Sequence, residues 1–166
     1  MNFANKTVLL VEDDANDEEL FRLALAHANI DCHVDVVRHG EDLLEYLFAH
    51  AGRAGQEKKR PPDLILLDLK LPKLNGLQVL QILKNAAHAE PTVWPIVVFT
   101  SSDDDRDIAS SYGLGALSYV RKPVAHGRFV ETVQETVLYW LGINQPIPPR
   151  APRSTAHSVE HAVPGR

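Results

Sequence analysis

Three stretches of the chain are apolar without a break and then end abruptly on polar residues: Val8 to Val11, Leu64 to Leu67, and Ile96 to Phe99. Short continuous apolar runs bounded by turn signals predict strands buried on both faces. Between and around them the spacing changes to three and four residues, as on one face of a helix. This holds for Ala15 to Ala28 (Leu20, Phe21, Ala24, Leu25), for Gly40 to about His50 (Leu43, Leu44, Leu47, Phe48) and for Gly76 to about Asn85 (Leu77, Leu80, Leu83). A short helix is expected up to about Tyr112, closed by Gly113 and Gly115. His33 to Val37 alternates as a half-covered or edge strand does, and Leu117 to Val120 reads as a brief strand before Arg121-Lys122-Pro123. The last regular element runs from about Ala125 to Leu141. Its Phe129, Val130, Val133, Val137, Trp140 and Leu141 share an arc of about 120°, a core-facing stripe, while Leu138 and Tyr139 fall outside it and are left for a partner. Five strands alternating with five helices predict an α/β fold with a parallel sheet covered on both faces.

Composition narrows the picture. A chain of 166 residues is expected to form one domain, here residues 1–141, with 142–166 as a Pro-rich C-terminal extension and no separate output domain. With 45% hydrophobic and 23% charged residues it has the make-up of a soluble globular protein. A net charge of −5 and a pI near 5.9 speak against a broad basic surface for nucleic acid. The basic cluster Lys58-Lys59-Arg60, in the Gly- and Pro-containing segment from Ala51 to Pro62, reads as exposed loop surface. The single Cys32 leaves no internal disulfide, and the eight dispersed His are not read as metal ligands. No apolar run approaches the ~20 residues that cross a bilayer. Charge follows Val11 at once, so no signal peptide is expected, and the expected location is the cytoplasm.

The chemistry collects at strand ends. The first apolar run ends on Glu12-Asp13-Asp14, the middle one on Asp68, and the third on Thr100; the last strand is followed by Lys122. Taken alone, Asp68 reads equally well as a turn cap and as a functional carboxylate. In a parallel sheet, however, all these ends lie along one edge, so the residues converge. Carboxylates gathered at buried strand ends repel unless a cation joins them. Hard oxygen donors of this kind suit Mg2+. An Asp carboxylate can attack phosphorus and form an acyl phosphate, a reaction that needs positioning and charge neutralisation above all. Mg2+, the Lys122 ammonium and the Thr100 hydroxyl would supply those.

Glu12-Asp13, Asp68 followed by Leu71-Pro72 and Gly76, Thr100, and Lys122-Pro123 together resemble the five-part signature of the response-regulator receiver domains of two-component signalling, over about Lys6 to Leu141. The resemblance implies a flavodoxin-like sheet of order 2-1-3-4-5 with five helices on both faces. It implies that Asp68 accepts a phosphoryl group from the phosphohistidine of a sensor histidine kinase. Asp13 and Asp68 would hold Mg2+ directly, Glu12 through water, and the Lys70 carbonyl would complete the protein ligands. Thr100 and Lys122 would bind the phosphoryl oxygens, Thr100 and Tyr119 would form the conformational switch, and the bond before Pro123 would be cis. Lys70 stands where relatives often carry Asn, Met or Arg, and Ser102 lies two residues after Thr100; both positions tune how long the acyl phosphate lasts.

The segment from Ala51 to Pro62, the Asp68-Leu-x-Leu-Pro run and the ending Tyr139-Trp140-Leu141 resemble, more narrowly, response regulators paired with bacterial phytochromes. That implies a phytochrome-type kinase as partner and a homodimer through the last strand and helix plus the C-terminal extension, with Leu138 and Tyr139 at the interface. Such a module signals by a conformational change at a protein interface and promotes only its own phosphorylation and dephosphorylation. Alternatives are a phosphorelay intermediate or phosphate sink, and a Mg-dependent phosphatase of the haloacid-dehalogenase kind. The latter wants a second acid where this chain has Lys70, and a flavin binder wants hydroxyls where it has Glu12-Asp13-Asp14.

Overall fold

A computed structural model describes residues 1–51, 60–86 and 93–146. The strands are β1 (Asn2–Val11), β2 (Asp31–Val37), β3 (Leu64–Leu67), β4 (Ile96–Thr100) and β5 (Ser118–Arg121). They alternate with helices α1 (Ala15–His27), α2 (Gly40–Ala51), α3 (Gly76–Ala86), α4 (Asp105–Gly113) and α5 (His126–Leu138). The five strands form one sheet in the order β2-β1-β3-β4-β5, every neighbouring pair parallel.

Burial on both faces explains why β3 is apolar at every position and β4 at every position but the last, Thr100. Successive side chains of a strand point to opposite faces. Val8, Leu10, Leu64, Leu66, Val97 and Phe99 therefore face α1 and α5, where Phe21, Leu25, Phe129, Val133 and Val137 complete one core. Phe99 meets Phe129 edge-on at 5.5 Å between ring centroids. Leu9, Val11, Ile65, Leu67, Ile96 and Val98 face the other way, onto Leu43 and Leu47 of α2 and Val79, Leu80 and Leu83 of α3. Each large side chain withdrawn from water in this way contributes about 1.5–3 kcal/mol.

The register lines up the strand ends. Val11 pairs with Leu67, Leu67 with Val98, and Val98 with Tyr119, so Glu12 and Asp68 are the first residues past the same row. The Asp68 amide still donates to the Val11 carbonyl at 3.1 Å, and the Lys122 amide to the Thr100 carbonyl at 2.7 Å.

The turn after β3 is set by a close approach. A Cβ on Gly76 would stand 2.6 Å from the Asp68 carbonyl oxygen and 2.8 Å from Leu69 Cα, so only glycine fits there. Lys73 takes a left-handed φ of 62° in the same turn. Asn75 and Gln78 then close a reciprocal capping box at the start of α3, each amide donating to the other's side chain at 2.9 Å.

Three features differ from the sequence reading. β1 reaches back to Asn2, pairing Asn2 and Phe3 with Asp31 and Cys32 before an irregularity that ends at Thr7. This part of the strand is mostly exposed, so no apolar run marked it. The last helix gives way after Leu138 to a π-helical turn, Tyr139–Ile143, closed by the Asn144 amide on the Tyr139 carbonyl at 2.7 Å; the folded chain thus continues past Leu141. Leu138, expected to be free for a partner, is half-buried against the α1–α5 core. The reason is that α5 packs on α1 as well as on the sheet, so its buried arc is wider than the sheet-facing stripe. Tyr139 is 48% exposed, as its position on the wheel suggested.

At the edge of the sheet where the strands begin, a cavity of about 640 Å3 opens among Asp63, Pro95, Leu117, Tyr139, Trp140 and Pro146. Lys58 and Lys59 of the basic cluster and the Pro-rich stretch from residue 147 onward lie outside the described residues, while Arg60 is exposed and donates to the Asn5 carbonyl and to Asp63. Among the described residues no helix is long and apolar enough to cross a membrane.

Candidate functional site

Asp68 sits at the carboxyl end of the central strand, 6% exposed, and both of its oxygens are engaged. Oδ1 accepts from the Thr100 hydroxyl at 2.7 Å and from the Lys70 amide at 2.9 Å. Oδ2 accepts from Lys122 Nζ at 2.7 Å. The Lys122 ammonium also donates to Glu12 Oε2 and, at 2.8 Å, to Asp17 Oδ2. An ammonium has three N–H donors, so three carboxylates satisfy it completely. Its nitrogen also lies over the Phe99 ring, 5.8 Å from the ring centre.

The site is short of positive charge. Among the described residues, Glu12, Asp13, Asp17 and Asp68 stand against the Lys122 ammonium alone, an excess of three negative charges if all four acids ionise. Burial pushes the Glu12 carboxyl up to about 7, against the pull of the Lys122 ammonium. Burial alone would lower the Lys122 ammonium; the Asp68 and Glu12 carboxylates outweigh it and hold the group above its ordinary value. Carboxylate oxygens of Glu12, Asp13 and Asp68 lie within 4.8 Å of one another. Asp13 is exposed while the other two are buried, so the trio opens to solvent on one side. Three hard anionic oxygens, a solvent path and uncompensated charge fit a divalent cation of the Mg2+ or Mn2+ kind.

The expected residues therefore come together as follows. Glu12, Asp13, Asp68, Thr100 and Lys122 converge at one edge of the sheet. Lys70 contributes its amide, and its side chain is exposed. Tyr119 is half-buried and donates its hydroxyl to the Ser102 carbonyl at 3.0 Å, which ties β5 to the loop after β4. The Ser102 hydroxyl in turn donates to Asp107 at 2.6 Å. Pro123 departs from expectation: the Lys122–Pro123 bond is trans, as are all peptide bonds among the described residues. Trans is the intrinsically favoured isomer of X-Pro bonds, and Lys122 reaches Asp68 with it. Leu138 and Tyr139 lie at the far end of α5, away from this cluster.

Sequence reasoning missed one participant. Asp17 reads from sequence as a first-turn acid favoured by the dipole of α1, yet it binds Lys122. The available signal was its place in the first helical turn after Glu12-Asp13, on the edge where Lys122 must arrive.

Residues 8–134 match the family described as the response regulator receiver domain. Response regulator Rcp1 of Synechocystis sp. is 33% identical over 137 residues, covering 82% of this chain and 89% of that protein. A crystal structure of its Mn2+-bound form superposes with a TM-score of 0.72 at 31% identity, covering 86% of this chain and 99% of that one. The phosphorylated cyanobacterial phytochrome response regulator RcpA gives 0.71 at 33% identity, over 84% of this chain and 96% of that one. The bacteriophytochrome response regulator RtBRR gives 0.61 at 39% identity, over 89% and 84% respectively. Those structures share the overall fold found here, and the acid cluster, hydroxyl and ammonium of this chain stand at the edge where α/β sheets of this kind bind ligands. The chain belongs to the response-regulator receiver domains, a family whose function is to accept a phosphoryl group on an aspartate.

Proposed function

We propose that Asp68 is the acceptor, taking a phosphoryl group from the phosphohistidine of a phytochrome-type sensor histidine kinase, and that the chain signals by the conformational change that follows. The observation carrying this reading is the convergence of Thr100 and Lys122 on the two oxygens of one buried carboxylate. An Asp68 oxygen forms the bond to phosphorus as the donor's phosphorus–nitrogen bond breaks, its electron pair staying with the imidazole nitrogen. Thr100 and Lys122 bond to the Asp68 oxygens beforehand and are therefore in reach of the phosphoryl oxygens. The Glu12, Asp13 and Asp68 carboxylates, with the Lys70 main chain, would hold Mg2+, which neutralises phosphoryl charge when bound. As the Thr100 hydroxyl turns from Asp68 to the phosphoryl group, the loop after β4 follows and the Tyr119–Ser102 bond is remade, which reshapes the β5 surface.

The test uses Mg2+ and acetyl phosphate with intact-mass detection. Wild type gains one base-labile phosphoryl group; Asp68→Asn and chelated samples gain none. A persistent adduct in Asp68→Asn would refute the assignment. Similarity to phytochrome response regulators supports the choice of kinase, and phosphotransfer from the phytochrome kinase encoded nearest this gene checks it. Exposed Tyr139 and Ile143 at the end of α5 support a homodimer through this end and the C-terminal extension. Light scattering at micromolar concentration then gives twice the mass of one 18.4 kDa chain; a monomer mass with and without phosphorylation sinks that part.

A further inference from the structure

Lys122 is held from three sides, and the third holder is not part of the five-part signature. The Asp17 carboxylate reaches the ammonium at 2.8 Å from the first turn of α1, and its side chain is 28% exposed where those of Glu12 and Asp68 are 3% and 8%. Building on the reading of Asp68 as acceptor, we propose that Asp17 is a positioning residue for phosphoryl transfer: its carboxylate anchors the Lys122 ammonium over Asp68 while the other two acceptors of that ammonium are engaged elsewhere.

The argument starts from the lysine. A four-carbon stem with several rotatable bonds gives up much rotamer freedom when it is fixed, so an ammonium stays put only if its donors are claimed. Glu12 and Asp68 claim two of them, but both also belong to the trio of carboxylates that suits a divalent cation. Asp68 is in addition the atom group that changes during the reaction. Asp17 stands outside that trio, so among the three acceptors of Lys122 it is the one that neither a cation held by the trio nor a phosphoryl group on Asp68 would claim directly. Its own place is firm, because Asp14 caps α1 by accepting from the Asn16 amide at 2.8 Å, and Gln134 of α5 binds the Ala24 carbonyl of α1 at 2.9 Å. A charged acceptor forms a stronger bond than a neutral one, so an amide at this position should anchor less well and an apolar group not at all. A purely structural role, as an acid near the positive end of the α1 dipole, would stabilise the helix without reference to Lys122.

The experiment is a double-mutant cycle on the initial rate of phosphorylation by acetyl phosphate with Mg2+. The set is wild type, Asp17→Asn, Asp17→Ala, Lys122→Ala and Asp17→Ala/Lys122→Ala, each checked for its fold by circular dichroism. Asp17→Ala is expected to slow the reaction about tenfold and Asp17→Asn about threefold, the graded loss of an acceptor. In the Lys122→Ala background Asp17→Ala should have no further effect. A rate for Asp17→Ala within about twofold of wild type overturns the proposal, and so does an equal fold-loss in both backgrounds, which marks a structural acid. Failure of the underlying reading looks different: wild type itself stays unmodified, or Asp68→Asn still gains a phosphoryl group.

Discussion

Exchanging Lys122 for Met keeps a long apolar stem and removes the ammonium. In the native chain that ammonium serves Glu12, which is 2% exposed, and Asp68, which is 6% exposed. Removing one partner of a buried ion pair costs about 3–5 kcal/mol because the other charge stays behind uncompensated. Two effects limit the loss here. The variant no longer bears the burial of Lys122 itself, and Glu12, already near pKa 7 with the ammonium beside it, takes up a proton more readily without it. The sign follows from linkage. Glu12 is raised from 4.5 in the unfolded chain, so its proton uptake favours the fold fully below about pH 4.5, and that contribution is lost as pH rises through about 7. Lys122→Met should therefore be destabilised by about 3 kcal/mol at pH 8 and clearly less at pH 6. Urea unfolding followed through the two tryptophans reads this directly. With a slope of about 1–3 kcal/mol per molar, the midpoint falls by about 1–3 M at pH 8. A divalent cation at a hundred times its Kd restores about 2.7 kcal/mol. An unchanged midpoint at pH 8 without metal, or a larger loss at pH 6 than at pH 8, would refute the account of Lys122 as the internal counter-ion.

Gly76→Ala places a methyl group against the Asp68 carbonyl and the Leu69 backbone, neither of which can yield cheaply, so a loss of about 1–3 kcal/mol is expected by the same urea assay. Mg2+ affinity measured by calorimetry should drop as pH falls below about 7, approaching tenfold per unit, because the metal must displace the proton on Glu12; Glu12→Gln should flatten that dependence. Phe129→Ala removes the ring that meets Phe99 in the α1–α5 core, and about 3–5 kcal/mol should go with it.

Legibility in the sequence tracked how completely an element is buried. β3 and β4 stand within a residue of where their apolar runs end, because both faces of each are covered. The half of β1 that lies along β2 with exposed side chains left no hydrophobic trace and was recognised only in three dimensions. The site was legible for a different reason: parallel strands bring their carboxyl ends to one edge, so polar residues far apart in the chain had to meet. Asp17 escaped because a first-turn acid has an ordinary explanation in the helix dipole, and only the arrival of Lys122 from β5 gives it another role. The isomer of the Lys122–Pro123 bond and the π-helical turn at Tyr139 depend on backbone choices that side-chain periodicity does not encode.

The cavity bordered by Tyr139 and Trp140 opens at the end of the sheet where β3 begins, whereas Asp68 lies where β3 ends. A four-residue strand spans about 13 Å, and every side chain along β3 is packed. Occupancy of the two ends is thus sterically independent. A molecule that approaches Asp68 therefore does not collide with one seated beside Tyr139 at the opposite end of the strand.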